Sequence, residues 1–528
     1  MTALVGTGGM VRLVLRRDRF LLPLWVLFVS VLPANFVATF QSLYPTAADR
    51  LGYAATSGTN PTFLAMYGPL YDTSIGGLVT QRSAFVPVAL GLISALVVIR
   101  HTRVEEEAGR RELLGSTVVG RQAALAAALI VTTAANIVVA LLMAAAVAAQ
   151  DQPLAGSLAL GLQTAAVGIV FAAVAGVTAQ LSEGAGAARG TAMAALGAAF
   201  VLRMAADTGG EGNSLSWLGW LTPLGWAQRM RPFGDERWWL LVPVVLLTLA
   251  LVAAAWRLSA RRDVAAGIFP PRPGPAEASP RLGGPFGLGW RLQSRPFYGW
   301  LAGFAVLGLV FGGVAGGMND LIKDNPDLED IIADLGGTST ITDAYFAMVM
   351  NMLGLLAAGY AVSATLKLRA EESSLRAEPL LATPTGRLHW ASSHLLFPLA
   401  GPIAGLATGA ALAALVHDPG ELPALLTAAL AQLPAVWLIA AIAVALFGLV
   451  PRLTSASWAA VAVAALVTLV GPMLDIGQWA LDLSPFTHIP DLPGADATAT
   501  PFVWLLAAST ALAATGLTAF RHRDLHLG

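Results

Sequence analysis

The chain alternates long apolar runs with short polar stretches that are often rich in arginine. A bilayer core takes about 20 apolar residues per helix. Runs of that order cover residues 20 to 40, 84 to 100, 122 to 149, 155 to 181, 188 to 206, 239 to 257, 298 to 317, 344 to 366, 390 to 416, 422 to 450, 456 to 474 and 501 to 520. They predict twelve transmembrane helices, and so an all-α integral membrane protein. No Asp, Glu or Lys lies deep inside any run. The polar residues there are uncharged, among them Asn136, Gln163, Asn351 and Gln432, and suit hydrogen bonds between helices. Arg203 and Asp207 stand at a helix end, four residues apart and within reach of each other.

Composition agrees with this pattern. Of 528 residues, 56% are hydrophobic and only 12% charged, and the mean hydropathy is +0.68, which excludes a string of soluble domains. The absence of cysteine removes disulfides, thiolate metal sites and cysteine nucleophiles, and leaves the redox compartment undetermined. Lys323 and Lys367 are the only lysines, and neither follows a G-x-x-x-x-G run. Without a P-loop the chain does not bind ATP by that route. Nothing in it points to nucleic acid.

Charge supplies the orientation. Arg12, Arg16, Arg17 and Arg19 precede the first run, and no A-x-A cleavage pattern follows it promptly, so it reads as a retained helix. Counted from a cytoplasmic N-terminus, the inner segments hold 24 of the 31 Lys and Arg with 12 of the 32 acids, and the outer segments hold 7 and 20. That asymmetry satisfies the positive-inside rule and puts both termini on the cytoplasmic side of the cell membrane.

The sequence also repeats itself. RVEEEAGRRELLGSTVVGR, residues 103 to 121, aligns without a gap to RAEESSLRAEPLLATPTGR, residues 369 to 387. Arg103, Glu105, Glu106, Arg110, Glu112, Leu114, Thr117, Gly120 and Arg121 meet identical residues, whereas Gly109, Arg111 and Leu113 are replaced by Leu375, Ala377 and Pro379. Trp217, Leu221 and Pro223 match Trp479, Leu483 and Pro485; Asp263 after Arg262 matches Asp524 after Arg523; Arg12 and Arg16 match Arg291 and Arg295. The expected plan is two parallel six-helix repeats, related by an axis along the membrane normal because six is even. The halves are residues 1–263 and 288–528, joined by a cytoplasmic Pro/Gly-rich linker, 264–287.

Each half then carries three kinds of polar segment. In the entry segment MVRLVLRRDRF, Arg12, Arg16 and Arg19 share one helical face and Val11, Val14 and Leu15 another, which suits an amphipathic helix in the membrane interface or a plain positive-inside anchor. The loops after spans two and eight mix both signs at helical spacing and read as elements built to dock a soluble partner, or as solvated connections. The outer segments SWLGWLTPLGW and GQWALDLSPFTHIP suit short interfacial helices acting as a gate, or as anchors. The acidic stretch with Asp320, Asp324, Asp327 and Asp334 is similar to the N-D-x-x-D magnesium sites of membrane prenyltransferases. Its spacing is off by one residue and the first half has no counterpart, so a solvated face fits it better.

On the two charged loops the chain resembles the membrane subunit of type-2 ATP-binding-cassette (ABC) exporters, and within them the double-length permeases of actinobacteria described as exporters of polyketide antibiotics, the tetronasin type. The resemblance spans both halves. It implies coupling helices formed by Arg103, Glu105, Glu106, Arg110, Arg111 and Glu112, and by Arg369, Glu371, Glu372, Arg376 and Glu378. These would contact two copies of a separate ATPase subunit that carries the ATP and magnesium. The permease itself would be a transport subunit with no cofactor, moving a lipophilic antibiotic, drug or lipid outward by alternating access. Phe36, Phe40, Phe85, Phe200, Phe304, Phe346, Met350 and Met352 are large apolar residues that the resemblance would place along the path or in the packing beside it.

Two other classes stay open. Twelve spans in two parallel halves is also the plan of major-facilitator secondary carriers, against which stand the long first outer loop and the lack of a carboxylate within the spans. A membrane-embedded transferase would need the acidic stretch.

Overall fold

The computed structural model describes residues 3–59, 61–111, 118–207, 214–270, 277, 279–280, 283–323, 338–470, 478–495 and 497–524; side chains within 316–323, at 338–341, at 469–470 and at 56, 59, 61 and 62 are outside this description. Among the described residues the structure is helical throughout, with no strand. It divides into two compact units, Met1–Gly274 and Pro275–Gly528, and the division falls within the Pro/Gly-rich stretch.

The first unit begins with α1 (Thr7–Arg17) and α2 (Leu21–Leu43). A loop bearing the short helices α3 (Ala47–Thr59), α4 (Pro61–Tyr67) and α5 (Ile75–Arg82) leads into α6 (Phe85–His101). A bend at Thr102 starts α7 (Arg103–Glu107), followed by α8 (Ala123–Ala148), α9 (Leu154–Leu181), α10 (Ala185–Asp207), α11 (Pro223–Gln228) and α12 (Leu241–Arg261). The centre of this unit is α9, buried along most of its length against α6, α8 and α12. Its small residues permit that: a Cβ at Gly161 would strike the Ala140 carbonyl, and one at Gly168 the side chain of Asn136. Close backbone approach is how helices associate where no water drives them together. Asn136 contributes a polar clasp, donating to Ser94 Oγ (3.0 Å) and to Thr132 O (2.8 Å).

The second unit consists of α13 (Pro285–Lys323), α14 (Thr338–Ser373), α15 (Ala377–Leu381), α16 (Arg387–His417), α17 (Leu422–Leu430), α18 (Leu433–Leu449), α19 (Ser457–Val470), α20 (Gln478–Leu481) and α21 (Ala499–His522). Glycine again sets the close contacts: Gly308 lies on the Gly409 carbonyl between α13 and α16, and Gly448 on that of Gly516 between α18 and α21.

Eleven helices among the described residues are long and apolar enough to cross a membrane. The sequence pattern gives twelve. The difference is the expected span 456 to 474, of which the described part is α19, 14 residues long and short of a bilayer's thickness. Apolar side chains such as Leu24, Phe28, Leu246, Val503 and Trp504 are exposed around the helices, as the outer surface of a multi-pass membrane protein requires.

The entry helices differ from the expected pair. In the first unit α1 stops at Arg17, because Asp18 turns inward and pairs with His101 (2.5 Å) and Arg100 (3.1 Å) at the end of α6. Arg19 therefore lies beyond the helix that was expected to carry it. The second unit has no acid at the corresponding place, and α13 runs through Pro296 as one helix of 39 residues, entry segment and span together.

Candidate functional site

At one end of the first unit the chain leaves α6, turns at Thr102 and forms α7 over the ends of α9 and α12. Glu106 points into this elbow and is buried. Its carboxylate pairs with Arg103 (2.6 Å), Arg262 (2.9 Å) and Arg111. The surplus positive charge is spread over carbonyl oxygens, which keeps the cluster hydrogen-bonded. Arg103 donates to Glu183 O (2.6 Å), Ala265 O (2.9 Å) and Ala266 O (3.1 Å), and Arg262 to Gln180 Oε1 (2.8 Å) and Ala266 O (2.8 Å). Arg121 donates to the Arg262 carbonyl. Burial pushes the Arg111 guanidinium down to about 10, where it stays cationic at neutral pH, and burial also lowers that of Arg262. On the outer side of the same elbow Glu105 accepts two hydrogen bonds from Arg110 (2.8 Å each) and pairs with Arg17 of α1 (2.6 Å). Arg110 is exposed, and its hydrogen bonds to Glu105 hold its guanidinium above the ordinary value.

The second unit builds the same kind of corner. Glu372 is buried and takes both nitrogens of Arg523 (2.7 and 2.8 Å), with Arg369 at 3.3 Å. Arg387 donates to the Arg523 carbonyl (2.6 Å), as Arg121 does to that of Arg262. Glu371 accepts two bonds from the exposed Arg376 (3.0 and 2.9 Å), the arrangement of Glu105 with Arg110. Arg523 lies 5.2 Å from the rings of both Phe447 and Phe520. Gly109 and Leu375, which occupy aligned positions, both take the left-handed backbone, at φ 69° and 59°.

The structure thus sorts the sequence candidates. Arg103, Glu106 and Arg111 join one buried cluster, and Glu372 with Arg369 another. Glu105 with Arg110, and Glu371 with Arg376, form the outward pairs, while Glu378 on α15 is exposed. Glu106 and Glu372 are therefore internal braces with no surface left for direct contact, which differs from a docking role for these two side chains. Glu112, Asp324, Asp327 and Asp334 lie outside the described residues, as does the side chain of Asp320. Arg262, Arg523, Arg121 and Arg387 were not singled out as site residues. The one signal for them was the repeat itself, in which arginines close span six and the charged loop in both copies.

Of the apolar candidates, Phe304, Phe346 and Met350 are core residues of the second unit and Phe40 of the first, each packed on all sides. They have no free face to offer a path. Phe36 packs edge-on against Phe85 (6.4 Å), and Phe85 is exposed. Met352 is half-buried, and Phe200 lies 4.9 Å beneath the Arg203 guanidinium. The two Trp/Pro segments form short helices capped alike: Thr222 Oγ accepts from Gly225 N (3.0 Å), and Ser484 Oγ from Phe486 N (3.3 Å).

The family model described as "Multidrug efflux system permease Rv1217c, C-terminal domain" matches residues 282–521. Over 527 residues the chain is 43% identical to the multidrug efflux system permease protein Rv1217c of Mycobacterium tuberculosis (strain ATCC 25618 / H37Rv), covering 98% of this chain and 95% of that protein.

Proposed function

From a chain that belongs to the multidrug efflux system permease family, and is therefore a membrane permease for drug efflux, we propose the membrane-spanning subunit of an ATP-driven type-2 ABC exporter of the tetronasin kind. The observation that carries this reading is the pair of elbows. Each presents an exposed arginine, held by two hydrogen bonds on a neighbouring glutamate, and each is braced from behind by a buried carboxylate tied to the arginine that closes the unit's last span. A surface loop needed only to join two spans has no use for a buried brace. A loop that transmits a push does, because the bond from Glu106 to Arg262 carries force from α7 to α12.

On this reading two copies of a separate ATPase subunit, which carry the ATP and magnesium, dock on the two elbows. Their closure moves the halves between inward-facing and outward-facing states and expels a lipophilic compound. The chain is a transport subunit rather than an enzyme. It comprises twelve spans in two parallel repeats within the cell membrane, with both termini cytoplasmic. The lack of a P-loop and of any carboxylate deep in the spans supports an external source of energy.

The test is affinity capture of the full chain from its native host, with wild type compared to Arg110→Glu/Arg376→Glu. Glu106 and Glu372 are unsuitable probes, since removing one partner of a buried ion pair costs about 3 to 5 kcal/mol of folding stability. An ATPase recovered at about two copies per chain from wild type and lost from the double variant, with unchanged melting, is the expected result. Recovery of the chain alone, still moving drug in response to a proton gradient, would assign it to the secondary carriers.

A further inference from the structure

Each unit has an apolar groove, and the internal repeat makes the two grooves equivalent. In the second unit a groove of about 480 Å³ runs between α16 and α21; in the first, one of about 560 Å³ runs between α8 and α12. With Arg103 aligned to Arg369, Leu129, Ile130 and Thr133 of the first groove fall on Leu395, Leu396 and Leu399 of the second, and all six line their grooves. With Arg262 aligned to Arg523, Trp256 falls on Leu517, which again line their grooves. Leu396 and Leu399 are exposed, so the second groove opens sideways along its span. From Leu388 to Leu399 it follows α16 for 11 residues, about 16 Å. That is the depth of one leaflet, half of a hydrocarbon core of about 30 Å.

The elbow ends of the two grooves differ. In the first unit the segment before α1 is pinned there: Gly120 N donates to Val5 O (2.8 Å) and Gln122 N to Ala3 O (3.0 Å), and a Cβ at Gly120 would strike the Ala3 carbonyl. Leu4 of that segment and Thr7 of α1 wall the end of the groove. In the second unit no described residue lies within 4 Å of a Cβ built on the aligned Gly386, and the lining continues to Leu388 and Arg521. Arg521 is exposed in the last turn of α21. Glu372, the acid of this corner, is taken by Arg523 and Arg369, and among the described residues Arg521 has no carboxylate partner. The hydroxyls of Ser392 and Thr518 are bonded to carbonyls of their own helices (2.9 and 2.8 Å), so the wall is apolar and Arg521 is its one charge. Where the second unit has Arg521, the first has Ala260.

We infer that the second groove is a site for one anionic phospholipid of the leaflet on the elbow side, with an acyl chain between α16 and α21 and the phosphate on Arg521. A zwitterionic lipid also brings a phosphate, but its cationic group offsets the attraction of an arginine that has no acid of its own. In the first unit the chain's own N-terminal segment stands where the headgroup would lie, and no arginine is present, so the full chain has one such site. The inference needs only that α16 and α21 span a bilayer, and it is independent of the ATPase reading.

The experiment titrates the detergent-purified full chain with palmitoyl-oleoyl phosphatidylglycerol, or with the phosphatidylcholine of the same chains, and counts bound lipid by native mass spectrometry. The variants are Arg521→Gln, Arg521→Lys, Ala514→Trp, which narrows the groove and leaves the arginine in place, and Arg257→Gln, which removes an exposed arginine of α12 outside either lining. Each is checked by thermal melting. Wild type binds one phosphatidylglycerol about 5-fold tighter than phosphatidylcholine, the factor that one arginine at a membrane surface supplies. Arg521→Gln brings the two lipids to about equal binding, Arg521→Lys keeps the preference, Ala514→Trp weakens both lipids several-fold, and Arg257→Gln changes nothing. Equal binding of the two lipids by wild type, an undiminished preference in folded Arg521→Gln, undiminished binding in folded Ala514→Trp, or an equal loss in Arg257→Gln overturns the site. If Ala514→Trp does not fold, Arg521→Gln against Arg257→Gln decides.

Discussion

Leu375 holds a backbone conformation that its aligned partner achieves with glycine. At φ 59° its Cβ crowds the following carbonyl, a cost of about 1 to 2 kcal/mol that Gly109 at φ 69° avoids. Leu375 is also exposed, so little packing offsets the strain. Leu375→Gly should therefore raise stability by about 1 kcal/mol, read as a higher melting temperature of the purified chain, whereas Gly109→Leu should lower it. The aligned positions were legible in the sequence, as were Glu106 and Glu372. Their partners Arg262 and Arg523 were not, because each lies some 150 residues further along the chain and no local period connects a loop to the end of a distant span. Burial of the two carboxylates follows from those partners, so it was equally hidden.

The entry helices show the same limit at the scale of elements. Arginines at matching places predict two amphipathic helices, yet one is separate and the other continues into its span. The deciding residue is Asp18, 2% exposed and locked to His101 and Arg100. Asp18→Ala should cost about 1 to 3 kcal/mol, since His101 is left buried without its partner. It should also release α1 from the end of α6, seen as increased mobility of a spin label at Arg12 with little change at a label on α8. An unchanged spectrum would mean that Val14 against α8 and Arg17 on Glu105 hold α1 without Asp18. The spans themselves were legible from run length, since hydrophobic transfer fixes where a helix can sit in lipid. The break between α17 and α18 was missed, although Pro434 in the first turn of α18 signals a helix start.

At the scale of the whole molecule, each unit has hydrophobic clusters of its own. Residues 1–274 and 275–528, expressed as separate chains, should each insert into membranes and retain helical circular dichroism in detergent. Aggregation of either alone would show that its core is incomplete. Within the first unit, one helix joins the two places where chemistry gathers. Gln180, which holds Arg262 in the elbow, and Gln163, which with Arg203 lines a cavity of about 40 Å³, both belong to α9, 17 residues apart and so about 25 Å along the axis. Its sequence contains no proline, and three of its glycines are closely packed, Gly156 against Phe233, Gly161 against the Ala140 backbone and Gly168 against Asn136. Such a helix behaves as a connecting rod: an axial displacement applied at one end arrives at the other undiminished, and the stroke at the elbow is the stroke at the cavity.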